Sequence, residues 1–195
     1  MKKNILMTLI LILGLSVSAI SVLHYKPVAL TSQGSLPKFD VDDLIEMSEL
    51  IVIGEVETTL PSRWRGIEGV DLKNASPDDV VKARGLFTDS VISVDQILKG
   101  EIVEPAIRVR RFTGEVRNVI WANDSEPTYD TGKTYMLFLV HDFGPTANID
   151  PGDYIAVGAF QGVYEIVDGK AISRKDEWIL KELVAYIENS LSGAK

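Results

Sequence analysis

Leu50-Ile51-Val52-Ile53-Gly54-Glu55-Val56-Glu57-Thr58 decides the fold class of this chain. The run begins with four apolar residues in succession and then alternates apolar with acidic and polar ones. A strand covered on both faces is apolar throughout, and a strand with one wet face alternates. The segment therefore reads as a strand leaving a core for a rim. Gly54, in its middle, predicts a bulge or bend where a sheet curls into a barrel.

Downstream, further strands follow. Leu86 to Leu98 is the longest, rich in β-branched residues and changing phase between Val91 and Ile92, as a bulged strand does. After a turn at Lys99-Gly100-Glu101, Ala106 to Phe112 alternates. Ile107, Val109 and Arg111 fall on one face, and Arg108, Arg110 and Phe112 on the other. Gly114 to Asp130 is weakly patterned, with Val116, Val119, Ile120 and Trp121 as a short strand or flap. Thr134 to Val140 is an apolar run whose length and flanks favour a buried central strand. Asp153 to Ala159 and Gly162 to Val167 complete the set, and Asp168-Gly169 signals a tight hairpin back through Lys170 to Ile172. From a Ser173 cap, Trp178, Ile179, Leu183, Val184, Tyr186 and Ile187 recur at helical spacing.

Two segments interrupt the β pattern. Leu60 to Gly85 is a long excursion with a helix start at Ser76-Pro77-Asp78-Asp79 and a short helix over Pro77 to Ala83. Phe143 to Gly152 is a loop bracketed by Gly-Pro and Pro-Gly pairs. Upstream of the first strand, Asp40 caps a short helix with Asp42, Asp43 and Glu46 near its positive end and Leu44, Ile45 and Met47 as its apolar side. Strands dominate and do not alternate regularly with helices. The fold class is thus mainly β: a small five- or six-stranded OB-like antiparallel barrel with a short leading helix and a C-terminal helix. An open sheet with the last helix across one face is the alternative.

The N-terminus assigns the compartment. Lys2 and Lys3 precede an apolar run from Ile5 to Val22, and no acid occurs before Asp40. Residues 1–22 are either a signal peptide cleaved after Val17-Ser18-Ala19 or a membrane anchor. In both cases the lysines stay cytoplasmic and the body faces outward. Residues 23–38, with Pro27, Gly34 and Pro37, read as a flexible tether. Residues 39–191 form the barrel domain with its helix, and 192–195 are a tail.

The chain has no cysteine, which removes disulfides, thiolate nucleophiles and Cys-based metal sites. The net charge of −8 argues against broad nucleic-acid binding, and no phosphate-binding loop points to a nucleotide. No cofactor is expected.

Ser48 to Val56, Thr88 to Gly100, Gly132 to Leu139 and Gln161 to Val167 together resemble a loose group of exported bacterial and archaeal proteins, over most of residues 45 to 170. The layout also resembles, at a distance, the OB-type inhibitory domain of tissue inhibitors of metalloproteinases. That domain acts through an N-terminal cysteine, which this chain lacks, so its mechanism does not carry over. The resemblance implies fold and export and no activity.

Two constellations carry potential chemistry. Arg108, Arg110 and Phe112 on one strand face, with Arg117 after them, suit an anionic polymer by fork hydrogen bonds and stacking. The plainer reading, preferred here, is a solvated outer face whose arginines pair with the abundant acids. Trp64 and Trp121, in loop-like segments, are either a binding surface or plugs over the barrel mouth. Asn148, Asp150 and Asp153 cluster oxygens in a turn in the manner of a calcium site, but without the full spacing of a helix–loop–helix calcium loop; an ordinary turn is preferred. Only His24 and His141 are histidines, and the adjacent His141 and Asp142 point to opposite sides of a strand. The expected function is an extracytoplasmic, membrane-tethered or secreted binding domain without catalytic activity, its partner a protein or polymer outside the cytoplasm. A hydrolase using His141 with nearby carboxylates and a self-assembling surface protein are the alternatives.

Overall fold

A computed structural model describes residues 28–32, 36–64, 86–116, 119–142 and 153–193. The expected helix over Pro77 to Ala83 and the expected loop from Phe143 to Gly152 lie outside them, as do residues 1–27, where the export segment is expected. Among the described residues no helix is long and apolar enough to cross a membrane.

Five strands close into a barrel. β2 (Leu50–Thr59) lies between β4 (Leu86–Lys99) and β8 (Thr134–His141), both antiparallel to it. β4 pairs with β5 (Ala106–Arg111), β5 pairs with β9 (Asp153–Ala156), and β9 returns to β8. The circle is mainly antiparallel, as expected, but the β5–β9 seam is parallel. The long crossover that carries the chain from β5 to β9 makes that direction available.

Closure of so small a circle needs strong coiling, and β2 and β4 supply it. Their register shifts at three places, between Ile51 and Val52, Ile53 and Gly54, and Val56 and Thr58. Gly54 has the close approach its sequence position predicted: a Cβ there would stand 2.4 Å from the Ser93 carbonyl oxygen and 2.8 Å from Ile92.

The runs of apolar residues in β2 and β8 have a simple cause. Leu50, Val52 and Val56 with Tyr135, Leu137 and Leu139 fill the barrel interior. Ile51, Ile53, Met136 and Phe138 face outward into a second core. That core is made with α1 (Val41–Met47) and α2 (Leu180–Gly193) through Val41, Leu44, Ile45, Leu183 and Ile187. Both faces are therefore dry from Leu50 to Gly54 and from Tyr135 to Leu139. α1 starts with a reciprocal box: Asp40 accepts from the Asp43 N–H and Asp43 from the Asp40 N–H. Met47, expected on its apolar side, is exposed.

The free half of the β8 edge extends the sheet through β10 (Val163–Val167), β11 (Lys170–Ile172) and β12 (Glu177–Ile179). Asp168 and Gly169 both take positive φ, at 50° and 75°, as the expected two-residue turn requires. The final helix begins later than its sequence signal. Ser173 closes a turn with Asp176, whose N–H it receives at 2.9 Å, and Trp178 and Ile179 belong to β12. Three residues are too few to separate strand from helix periodicity, and the ladder to β11 decides the matter.

A second, three-stranded sheet forms a flap. β6 (Gly114–Val116) and β7 (Val119–Asn123) make a hairpin, and β1 (Val28–Ser32) joins β7 in parallel. Val28–Ser32 thus departs from the flexible tether expected over 23–38: its backbone hydrogen bonds go to β7. β3 (Arg63–Trp64), pairing with the start of β4, opens the excursion.

Candidate functional site

The flap is fastened to the barrel rim by hydroxyls. Ser62 Oγ and Thr88 Oγ1 lie 2.8 Å apart, the Thr88 hydroxyl donates to the Thr113 carbonyl, and the Glu115 N–H donates to Ser62. Gly114 sits over this knot, where a Cβ would come within 2.4 Å of Ser62 Oγ and 2.7 Å of Thr88 Oγ1.

Between flap and rim lies a cleft of about 490 Å³. Trp121 and Ile120 of β7 form one wall, Arg111 and Thr113 lie at the base, and residues 124–128 form the other wall. That second wall is prebuilt. Asn123 Oδ1 accepts the Ser125 N–H, the Glu126 N–H closes on the Asn123 carbonyl, and the Phe160 N–H donates to the Ser125 carbonyl. Arg174 donates to the carbonyls of Asp124 and Glu126 and rests over the Phe160 ring at 5.0 Å. A second hollow of about 300 Å³, with Phe160, Tyr135 and Val163, shares Pro127, Thr128 and Arg174 with the first, so the two adjoin.

Three polar groups meet behind the cleft. Arg111 Nε and Tyr129 Oη are buried without a hydrogen-bond partner among the described residues. Burial pushes the Glu126 carboxyl above its ordinary range, against the opposing pull of the Phe112 N–H and the Arg111 guanidinium. Burial, with the Glu126 charge, also raises the Tyr129 phenol. A flat indole, a forked donor and a carboxyl with perturbed titration are therefore presented to one opening, which suits a polar chain carrying both donors and acceptors.

The residues singled out in the sequence separate. Arg110 is 1 % exposed and belongs to an internal charge cluster. Its Nε and one terminal nitrogen reach Asp89 at 2.8 and 3.2 Å, and its other terminal nitrogen reaches Asp142 at 3.0 Å. Arg63 also pairs with Asp89, and Arg63 and Arg110 both stack on the Phe87 ring, at 4.9 and 4.2 Å. Arg110 thus pairs with acids, as the preferred reading expected, but it is buried and not on the solvated outer face that reading gave it, because Asp89 and Asp142 enclose its guanidinium. Arg108 is half-buried, in register with Val91 on one side and Asp153 on the other. Phe112 and Trp64 are also half-buried, Trp64 opposite Leu86. Of this set only Trp121 lines the cleft. Arg117 lies outside the described residues.

The cation reading falls on the same boundary. Asn148 and Asp150 lie outside the described residues, and of Asp153 only the backbone, in β9, is described. Among the described residues no three His, Asp or Glu side chains are placed to share a metal ion. His141 and Asp142 do diverge. Asp142 turns inward to Arg110, whereas the exposed His141 ring meets Glu49 at 2.6 Å and lies against Tyr154. Hydrogen bonds from the His141 side chain and backbone hold the Glu49 carboxyl below its ordinary value.

Arg111, Glu126 and Arg174 were not singled out in the sequence. Arg111 left one trace: it continues the inward row of Ile107 and Val109, where a barrel strand ordinarily carries an apolar residue. Comparison with family models finds no match. Comparison with curated proteins finds none either, so the resemblance read from the sequence carries no further argument.

Proposed function

We propose that this chain is a non-enzymatic binding module that works on the outer side of a membrane and takes its partner, a protein segment or other polymer, in the cleft between flap and barrel. The convergence of Trp121 and Arg111 on one preformed opening carries this reading. Tryptophan and arginine are among the residues that dominate binding energy at interfaces, and here the arginine has a buried Nε without a partner among the described residues. Walls held by backbone and hydroxyl hydrogen bonds lose little freedom when a ligand arrives. The apolar run from Ile5 to Val22 with its leading lysines supports the outward location.

A photoreactive residue at position 122, inside the cleft, tests the site, with the same residue at 181, on the exposed face of α2, as control. Illumination with the extracytoplasmic fraction should give an adduct at 122 alone, lost in the Trp121→Ala, Arg111→Ala double variant. Equal adducts at both positions, or an adduct indifferent to that variant, would sink the reading. N-terminal sequencing of the chain recovered from cells separates the two forms, since a start at Ile20 ends the anchor.

A further inference from the structure

The turn from Ser173 to Asp176 divides two surfaces. Arg174 reaches the cleft described above, whereas Asp176 borders a separate pocket of about 360 Å³ built where the entry to α1 meets β12 and α2. Its walls are aromatic. Trp178 and Tyr186 lie with ring centroids 5.9 Å apart and planes at 41°, and Phe39 closes the other side. Each ring is held. The Tyr186 hydroxyl donates to Asp42 Oδ1 at 2.7 Å. Phe39 is fixed through its N–H on Gln161 Oε1, and its ring packs where a Cβ on Gly158 would come within 2.7 Å.

The charge at this pocket is one-sided. Asp40, Asp42 and Asp176 line it with Lys38, and the Lys175 ammonium lies behind Phe39 on the same Gln161 Oε1, which leaves acids in excess among the described residues. Asp40 and Asp42 each use one carboxylate oxygen in a hydrogen bond, accepting from the Asp43 N–H and the Tyr186 hydroxyl. The three carboxylates do not converge as a metal site would, since no such group of ligands exists among the described residues. Acids spread around aromatic faces favour a cation that is bulky, diffuse and weakly hydrated. Such a cation gains from the ring quadrupoles and gives up little water.

We infer that this pocket binds a quaternary ammonium group on a small molecule, seated against the aromatic wall that Trp178 and Tyr186 make by packing on each other and neutralised by Asp42 and Asp176. The site goes beyond the cleft and does not depend on it. A primary ammonium keeps its own water and should bind less well, and a neutral group of the same shape lacks the charge the pocket answers.

The experiment titrates the ¹⁵N-labelled full chain in non-ionic detergent with tetramethylammonium chloride, at ionic strength held constant with sodium chloride. The probe is the Trp178 indole N–H resonance, assigned by its loss in Trp178→Phe. A saturable shift of that resonance is expected, with dissociation constants on the order of millimolar for so small a ligand. Methylammonium should bind about tenfold more weakly, and tert-butanol should produce no saturable shift. The Asp42→Asn, Asp176→Asn double variant should weaken tetramethylammonium at least about tenfold while the other two indole resonances stay in place, which reports an intact fold. Equal binding of tert-butanol would reduce the pocket to an apolar hollow. Absence of a saturable shift, or indifference to the double variant with the fold intact, would overturn the assignment.

Discussion

Replacement of Arg110 by alanine should cost this protein more than any single surface change. The guanidinium has a side-chain exposure of 0 %, as has Asp89, and Asp142 has 1 %. It makes three charge-assisted hydrogen bonds, at 2.8, 3.2 and 3.0 Å, and covers the Phe87 ring. Alanine removes those bonds and leaves two carboxylates in a dry setting, of which Asp89 retains Arg63. Removing one partner of a buried ion pair costs about 3–5 kcal/mol, mostly through the charge left behind. For a chain of this size, about 2–4 °C in Tm per kcal/mol puts the loss at roughly 6–20 °C. Urea unfolding followed by far-UV circular dichroism measures it directly. Arg110→Lys should lose less, because a cation remains while the two-pronged contact with Asp89 does not. The Arg110→Met, Asp142→Asn double variant should lose less than its two single changes summed, because it removes charge from both sides of the pair. A loss of under about 1 kcal/mol for Arg110→Ala, the value of a surface pair, would refute the reasoning. It would mean that water reaches the cluster.

Two further outcomes follow from the geometry. The Glu126 carboxyl has a folded pKa above its ordinary value of 4.5, so its stabilising protonation is fully present below that value and lost as pH rises through the folded pKa. Glu126→Gln stays neutral at every pH, so its Tm should exceed that of the parent at neutral pH and converge with it near pH 4, and a constant difference across the range would refute the cause. Gly54→Ala should cost about 1–3 kcal/mol by pushing β2 from β4. Gly193→Ala, where nothing stands within 4 Å, should leave the urea midpoint within about 0.5 kcal/mol, and similar effects of the two would rule out the close approach.

Much of the fold was legible because burial leaves a mark on residue type. The first half of β2 and the middle of β8 are dry on both faces, so they read as unbroken apolar runs, and β2 alternates where one face turns to water. The Asp168-Gly169 turn and the Asp40 cap were legible because each depends on chemistry within four residues. The candidate site was mostly not legible. Trp121 could be singled out as an aromatic residue outside a regular pattern, but Glu126 and Arg174 look like ordinary loop residues. They gain meaning from Phe112 and Phe160, which come from distant parts of the chain.

Arg108 and Arg110 show the division most clearly. They are two residues apart on one strand face, and nothing in their neighbourhood of sequence distinguishes them. The register of β4 against β5 sets Asp89 opposite Arg110 and Val91 opposite Arg108, and closure of the barrel through β8 delivers Asp142. From sequence alone came the β class, most strand and turn positions and the absence of cysteine chemistry. Each rests on composition or on contacts between near neighbours. Only the tertiary structure decided that Arg110 is locked in the internal cluster and that Arg111 lines the cleft, because the partners of a buried charge are chosen by pairing register and closure.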